Sequence, residues 1–179
     1  MESPAIGAFH RFRQAYPPPS AAYRAGPHLF AQLGATVVTI ANTPDGLNIN
    51  HECGATHTDA LKAKVKEVGA DLGVALDGDA DRVILVDENG DDLNGDQILA
   101  VLAEDLPDGA GVVSTQMANL ALERYLQSHG RKLVRTAVGD RYVVEGMKEH
   151  AIALGGEPSG HILFGGATAV SSRANIPSI

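Results

Sequence analysis

Three aspartates at alternate positions, Asp77, Asp79 and Asp81, follow a short apolar run and lead directly into Arg82. Three carboxylates crowded into one turn repel one another, and a cation relieves that repulsion. Gly78 and Ala80 between them are small, so the backbone can curl and aim all three carboxylates at one point. Hard oxygen donors in that number suit Mg2+, which keeps its remaining positions for water or a substrate phosphate. Other readings share the pattern. A helix-loop-helix calcium loop would use Asp77, Asp79 and Asp81 at its first, third and fifth positions, with Glu88 at its last. It is rejected because Arg82 occupies the position that loop gives to glycine, and strand-forming residues fill its second half. An aspartyl-phosphate phosphatase would use Asp77 as the nucleophile. Asp81 stands where that chemistry usually has Thr or Val, and a third carboxylate suits a metal better than a nucleophile. The phosphatase remains the alternative, beside a plain solvated acidic turn.

A second cluster lies at Gly155-Gly156-Glu157-Pro158-Ser159-Gly160-His161. A carboxylate, a hydroxyl and an imidazole on a glycine-flanked turn suit the vicinal hydroxyls of a sugar. The turn is no nucleophile elbow, because Pro158 stands where the serine would be needed. Other candidates are weaker. His51, Cys53 and His57 lie close together but lack an evident fourth zinc ligand, and Cys53 alone reads as a small buried residue. Gly109-Ala110-Gly111 precedes a strand instead of following one, with Ser114 in place of the third glycine, so it is not a dinucleotide fingerprint. Ser114-Thr115-Gln116 reads as a strand end and helix cap whose hydroxyls could face a cleft.

The elements that must carry these loops are legible from periodicity. Thr36–Ile40, Leu72–Leu76, Val83–Val86, Gly111–Ser114, Lys132–Thr136 and His161–Phe164 read as strands. Helices are expected around Pro27–Leu33, over a stretch capped by Thr58 and stopped by Gly69 with Leu61, Val65 and Val68 inward, and at Asp96–Leu102, Met117–Gln127 and Asp140–His150. Ala118, Ala121, Leu122 and Tyr125 form a core stripe with Leu122 as its main packer. Asn89-Gly90 signals a tight turn. Thr43–Asn50 reads as a loop, the opening through Tyr16 and Pro17-Pro18-Pro19-Ser20 as irregular or polyproline-like, and the tail after Phe164 as aperiodic. No internal repeat is evident. Alternating strands and helices predict an α/β fold with helices on both faces of a sheet and ligands at strand carboxyl ends.

Composition excludes several classes. The chain has 179 residues, 14 Lys plus Arg against 22 Asp plus Glu, and a net charge of −8. Such a chain is a poor partner for nucleic acid or an anionic membrane surface. One cysteine cannot form an intrachain disulfide, which fits a reducing cytoplasm. No apolar run approaches the roughly 20 residues that span a bilayer, and the first residues lack the apolar core of a signal peptide.

Together the two loops are specific. Asp77-Gly78-Asp79-Ala80-Asp81-Arg82 and Gly156-Glu157-Pro158-Ser159-Gly160-His161 resemble the metal loop D-G-D-x-D-R and the sugar loop G-E-x-S-G-H of the α-D-phosphohexomutase superfamily. Pro44–Asn50 with Cys53–Thr56, Asn94–Leu99 and Val138–Val143 support its amino-sugar branch. The resemblance runs from about Ala21 to Phe164. It implies two consecutive mixed-sheet α/β domains, truncated at both ends: residues 20–93 with the metal loop and 94–179 with the sugar loop, residues 1–19 and 165–179 being unmatched. The implied activity is an isomerase reaction, reversible Mg2+-dependent phosphoryl transfer between glucosamine 6-phosphate and glucosamine 1-phosphate in a cytoplasmic route to UDP-N-acetylglucosamine. It implies Asp77, Asp79 and Asp81 as Mg2+ ligands, Arg82 as a catalytic residue beside a phosphoserine, and Glu157, Ser159 and His161 as sugar contacts. Gly139, Asp140 and Arg141 would line the same cleft. No serine here is followed by His-Asn-Pro, as the family's phosphoserine loop requires, and the phosphate-binding last domain is missing. The expectation is a chain inactive alone, with weak Mg2+ affinity; a non-catalytic phosphosugar-binding module is the other alternative.

Overall fold

The computed structural model of the chain describes residues 13–16, 21–41, 45 and 47–165. The polyproline-like run at 17–20, part of the loop at 42–44 and 46, and the tail from 166 lie outside the described residues. Contacts divide the chain into two units, Met1–Asp92 and Leu93–Ile179.

The first unit runs β1 (Arg13–Tyr16), α1 (Ala25–Gln32), β2 (Thr36–Thr39), α2 (Asp59–Val68), β3 (Leu72–Leu76) and β4 (Val83–Asp87), ending in the short β5 (Asp92–Leu93). The sheet order is β2-β1-β3-β4-β5. β1 pairs parallel with both β2 and β3, and β3 pairs antiparallel with β4. The steps from β1 to β2 and from β2 to β3 go in opposite directions across the sheet. The right-handed rule for parallel crossovers then assigns α1 and α2 to opposite faces.

β1 corrects the reading of the opening segment as irregular. Arg-Gln-Ala-Tyr has no β-branched residue, and its strand state comes from ladders on both edges to residues far along the chain. α2 follows its periodicity. Leu61 and Val65 are buried with Ala70, Ala75, Ile84 and Val86, Val68 packs at the margin, and Gly69 ends the helix in the left-handed region at φ 61°. Thr58 is the cap residue but makes no side-chain capping bond, because its backbone is already helical.

The turn after β4 is held by one side chain. Asp87 Oδ1 accepts from Asn89 N at 3.0 Å and Asp91 N at 2.8 Å, and Gly90 takes φ 82°. These bonds, that of Asp91 foremost, hold the Asp87 carboxyl below its usual pKa. A depressed carboxylate contributes stability above its unfolded pKa of about 3.9 and loses it as pH falls through the lower folded value. Denaturant unfolding of the chain between pH 5 and pH 2.5 should therefore show a loss of stability that Asp87→Asn reduces. Parallel pH profiles for the two proteins would refute this.

The second unit runs α3 (Gly95–Glu104), β6 (Gly111–Thr115), α4 (Leu120–Ser128), β7 (Lys132–Thr136), α5 (Asp140–Glu149), β8 (Leu154–Gly156) and β9 (Ile162–Phe164). The sheet order is β7-β6-β8-β9. All residues of β6 are buried, as expected for a strand covered on both faces. Val112 packs with Leu99, Ala103, Leu122, Leu126 and Leu154, whereas Val113 packs with Val143, Met147 and Ile152. Successive strand side chains thus serve opposite cores.

Three local expectations change here. α4 begins after Asn119, whose side chain accepts from Ala121 N at 2.9 Å, and not at Met117. Its main packers are Leu122 and the fully buried Leu126, while Ala121 is exposed. Ser114 and Thr115 are fully buried, so their hydroxyls face no open surface. β8 escapes local reading because two of its three residues are glycine. A Cβ on Gly155 would lie 2.6 Å from Met147 Sδ and 2.8 Å from Val143 Cγ1, so the strand needs glycine for α5 to sit on it.

The units share one topology, although no sequence repeat is visible. In each, a central strand is flanked by two parallel neighbours, and the third strand turns back into an antiparallel fourth. The aspartate loop joins the third and fourth strands of the first unit, and the Glu157–His161 loop joins those of the second. Each loop leaves the carboxyl end of a parallel strand, where ligands bind in open α/β sheets. Among the described residues no helix is long and apolar enough to cross a membrane.

Candidate functional site

In the first unit, β3 delivers Asp77 and the chain reverses at once. Ala80 N donates to Asp77 O at 3.1 Å, and Ala80 takes φ 65°, a left-handed conformation that an alanine adopts only under constraint. The turn brings one oxygen each of Asp77, Asp79 and Asp81 within 4.8 Å of one another, the only such grouping of potential metal ligands among the described residues. Oxygens on Mg2+ are about 2.9 Å apart when cis and about 4.2 Å apart when trans, so the three carboxylates would draw inward to share one ion. The donor set, three hard carboxylates with solvent on one side, fits that ion. Asp79 and Asp81 are exposed, while the side chain of Asp77 is only 13% accessible.

Arg82 closes the loop on Asp77. Its backbone N–H donates to Asp77 Oδ1 at 3.1 Å, and its Nε lies 3.3 Å from Asp77 Oδ2 and 3.8 Å from Asp81 Oδ1. The guanidinium offsets part of the carboxylate repulsion and keeps donors free for a phosphate. A support that sequence reasoning missed lies beneath the loop. A Cβ on Gly78 would lie 2.9 Å from Ile49 Cδ1 and 3.0 Å from Asn50 Nδ2, and one on Gly54 would lie 3.0 Å from Asn50 Oδ1. Asn50 itself is left-handed at φ 57°. Gly54 and Gly78 were the only sequence signals for this packing. Cys53, in the same segment, is buried, and burial pushes its thiol pKa up. It is not grouped with His51 and His57, which are exposed.

In the second unit, Glu157 follows β8 and is buried, with 7% of its surface accessible. Both of its carboxylate oxygens are engaged. Oε1 accepts from Gly139 N at 2.9 Å, and Oε2 lies 2.8 Å from His161 Nδ1. The carboxylate therefore fixes the imidazole and ties the loop to the start of α5, keeping its remaining lone pairs for a ligand. Ser159 is exposed at the tip. Gly160 N donates to Glu157 O at 3.0 Å, and Gly160 takes φ 100°. Gly139 joins the site through its N–H. The side chains of Asp140 and Arg141 do not reach Glu157: Asp140 Oδ1 takes the Arg141 N–H, and Arg141 Nε pairs with Glu145 at 2.9 Å in solvent.

The two loops are built alike. Each starts with a carboxylate at a strand end, carries a left-handed residue at its fourth position, and ends in a basic side chain bonded to that first carboxylate. One opens its remaining carboxylates to solvent and suits a cation; the other has a hydroxyl at its tip and suits a polyol.

Comparison with known proteins gives two consecutive domains. Residues 16–90 match the family model described as phosphoglucomutase/phosphomannomutase, alpha/beta/alpha domain II, and residues 94–172 match that of domain III. The chain is 55% identical over 149 residues to phosphoglucosamine mutase of Agrobacterium fabrum and, equally, to that of Brucella anthropi. The matches cover 80% of this chain and 33% of each relative, so the chain spans about a third of their length. Among solved structures, a phosphoglucomutase/phosphomannomutase family protein from Burkholderia thailandensis superimposes with a TM-score of 0.81 at 26% identity, over 87% of this chain and 36% of that one. The Aspergillus fumigatus N-acetylphosphoglucosamine mutase, solved in complex with GlcNAc-6P and magnesium, shares the fold with a TM-score of 0.58 at 22% identity, over 88% of this chain and 37% of that one.

Proposed function

Since the chain belongs to the phosphoglucomutase/phosphomannomutase family and carries its α/β/α domains II and III, we propose that it supplies the metal loop and the sugar loop of a phosphoglucosamine mutase. The reaction is the interconversion of glucosamine 6-phosphate and glucosamine 1-phosphate in the cytoplasm. The observation that carries the reading is the pair of loops at matching strand ends, one gathering three carboxylates and the other presenting Glu157, Ser159 and His161.

Asp77, Asp79 and Asp81 would hold Mg2+, which when bound neutralises charge on the phosphoryl group in transit. Arg82 keeps Asp77 aimed and offers guanidinium N–H groups to a phosphoryl oxygen. Ser159 donates to, or accepts from, a sugar hydroxyl, and Glu157 accepts from a second one with the lone pairs that Gly139 and His161 leave. Gly139, Asp140 and Arg141 flank the sugar loop at the start of α5. The serine that carries the phosphoryl group in this chemistry, recognised by a following His-Asn-Pro, is absent from the 179 residues.

Phosphorus NMR tests the reading. The purified chain would be incubated with glucosamine 6-phosphate, Mg2+ and catalytic glucosamine 1,6-bisphosphate, with proton–nitrogen spectra taken in parallel. We expect shifts confined to the two loops and no new phosphorus signal. Free phosphate that disappears in Asp77→Asn would replace this reading with the phosphatase. Appearance of glucosamine 1-phosphate would show that turnover does not need the missing serine.

A further inference from the structure

The Glu157–His161 loop has a backstop that lies outside its own run of residues. Gly95, the first residue of α3, donates its N–H to Pro158 O at 3.1 Å. A Cβ at Gly95 would overlap the carbonyl oxygen of Glu157, and would stand 2.9 Å from the carbonyl carbon of Glu157 and 3.1 Å from Gly160 N. Unlike a flexible side-chain tip, these backbone atoms cannot move aside without moving the loop. The next residue, Asp96, is buried with 6% of its surface accessible. Its Oδ2 accepts from Asn119 N at 2.7 Å, across 23 residues of sequence, and its Oδ1 is buried without a partner. Burial raises the Asp96 pKa. A carboxyl group in such a place is costly unless it is hydrogen-bonded, and the bond from Asn119 N offsets part of that cost. What it holds is the turn that starts α4. The start of α3 is fixed from its own side as well: Asn94 accepts from Asp96 N and Gln97 N, and Gln97 Oε1 accepts from Asn94 N at 3.0 Å.

We infer that Gly95 and Asp96 are positioning residues for sugar recognition: the first turn of α3, anchored on α4 by Asp96, presses the bare Gly95 backbone against Glu157–Gly160 and sets where the Glu157 carboxylate meets Gly139 and His161. Gly95 is needed because any side chain would collide with the loop backbone and push it away from α3. Asp96 is needed because it ties that turn to a neighbouring element. The inference rests on reading Glu157–His161 as the sugar loop, yet its geometric content can be tested without sugar.

The test is heteronuclear NMR on the 179-residue chain, reading the Gly139 amide and the His161 imidazole nitrogens. In the parent, Gly139 should be protected from exchange and His161 Nδ1 should report a proton shared with Glu157. Gly95→Ala should raise Gly139 exchange at least tenfold and move the His161 nitrogen signals. Ala100→Gly, which weakens the same helix without touching the loop, should leave both unchanged. Should Gly95→Ala fail to fold, Asp96→Ala gives the second reading, with faster Gly139 exchange while Val112 and Val143 stay protected. A folded Gly95→Ala, or a folded Asp96→Ala in its place, with parental Gly139 and His161 signals overturns the inference. Adding glucosamine 6-phosphate separates the two claims. If the parent's loop signals ignore the sugar while Gly95→Ala still disturbs Gly139, the positioning stands and the sugar reading falls.

Discussion

Replacing Asp79 by Asn should weaken divalent-cation binding by about 100-fold or more without lowering the thermal midpoint of the metal-free chain. Removal of groups that only orient metal ligands already costs 10- to 100-fold in affinity, and Asp79 would itself be a ligand. It is exposed, and its neighbours in the loop bear the same charge. At the separations within this cluster each like pair costs between about 1 and 3.5 kcal/mol, depending on how well water screens it. Losing one charge thus relieves the metal-free protein and cripples the metal-bound one. Mn2+, followed by the loss of its free electron-paramagnetic signal, is a convenient probe. Asp59→Asn, an aspartate at the start of α2 outside the grouping, serves as the control. Asp77→Asn should be worse than Asp79→Asn on both counts, because Asp77 also receives the Arg82 N–H and ion pair. Equal Mn2+ affinity in Asp79→Asn and the parent would remove the metal from this loop.

Glu157→Ala should lower the stability of the second unit by about 2 kcal/mol, roughly 8–16 °C in Tm for a unit of this size. The substitution strips the acceptor from Gly139 N and the partner from His161 Nδ1 at a buried position. An unmet donor in such a place forfeits more than the net value of the bond it lost. Glu157→Gln separates structure from binding. Its amide oxygen can still take the Gly139 N–H, so most of the stability should return, while the negative charge that orients His161 is gone. A Glu157→Ala protein with the parental Tm, measured by calorimetry, would mean that the carboxylate serves the ligand alone and not the loop.

The same carboxylate shows where sequence reasoning stops short. The types and spacing of Glu157, Ser159 and His161 were enough to suggest a polyol, but not that Glu157 spends an oxygen on each of Gly139 and His161. Gly139 is 18 residues away in sequence, and only the parallel alignment of β7, β6 and β8 brings its N–H to the end of β8. Arg141 illustrates the reverse. The resemblance assigned it to the cleft of the sugar loop, and in the structure its Nε pairs with Glu145 one helical turn on, a contact set by local helical spacing.

What the sequence by itself determined was local: where strands carry consecutive apolar residues, where α2 is stopped by Gly69, and which short runs concentrate carboxylates and glycines. Those features depend on residues within one turn or one strand, so they can be read without knowing what lies across the fold. What only the tertiary structure decided was non-local. β1 and β8 have weak intrinsic strand preference and exist because ladders from distant residues complete them. The shared topology of the two units is a pattern of pairing partners, which need leave no trace in residue identity. The closeness of Gly95 to Glu157 likewise depends on α3 lying against β8 through Leu99 and Leu154. Hydrogen-bond ladders and close packing join residues that the chain keeps far apart, and at those junctions the loops acquire their geometry.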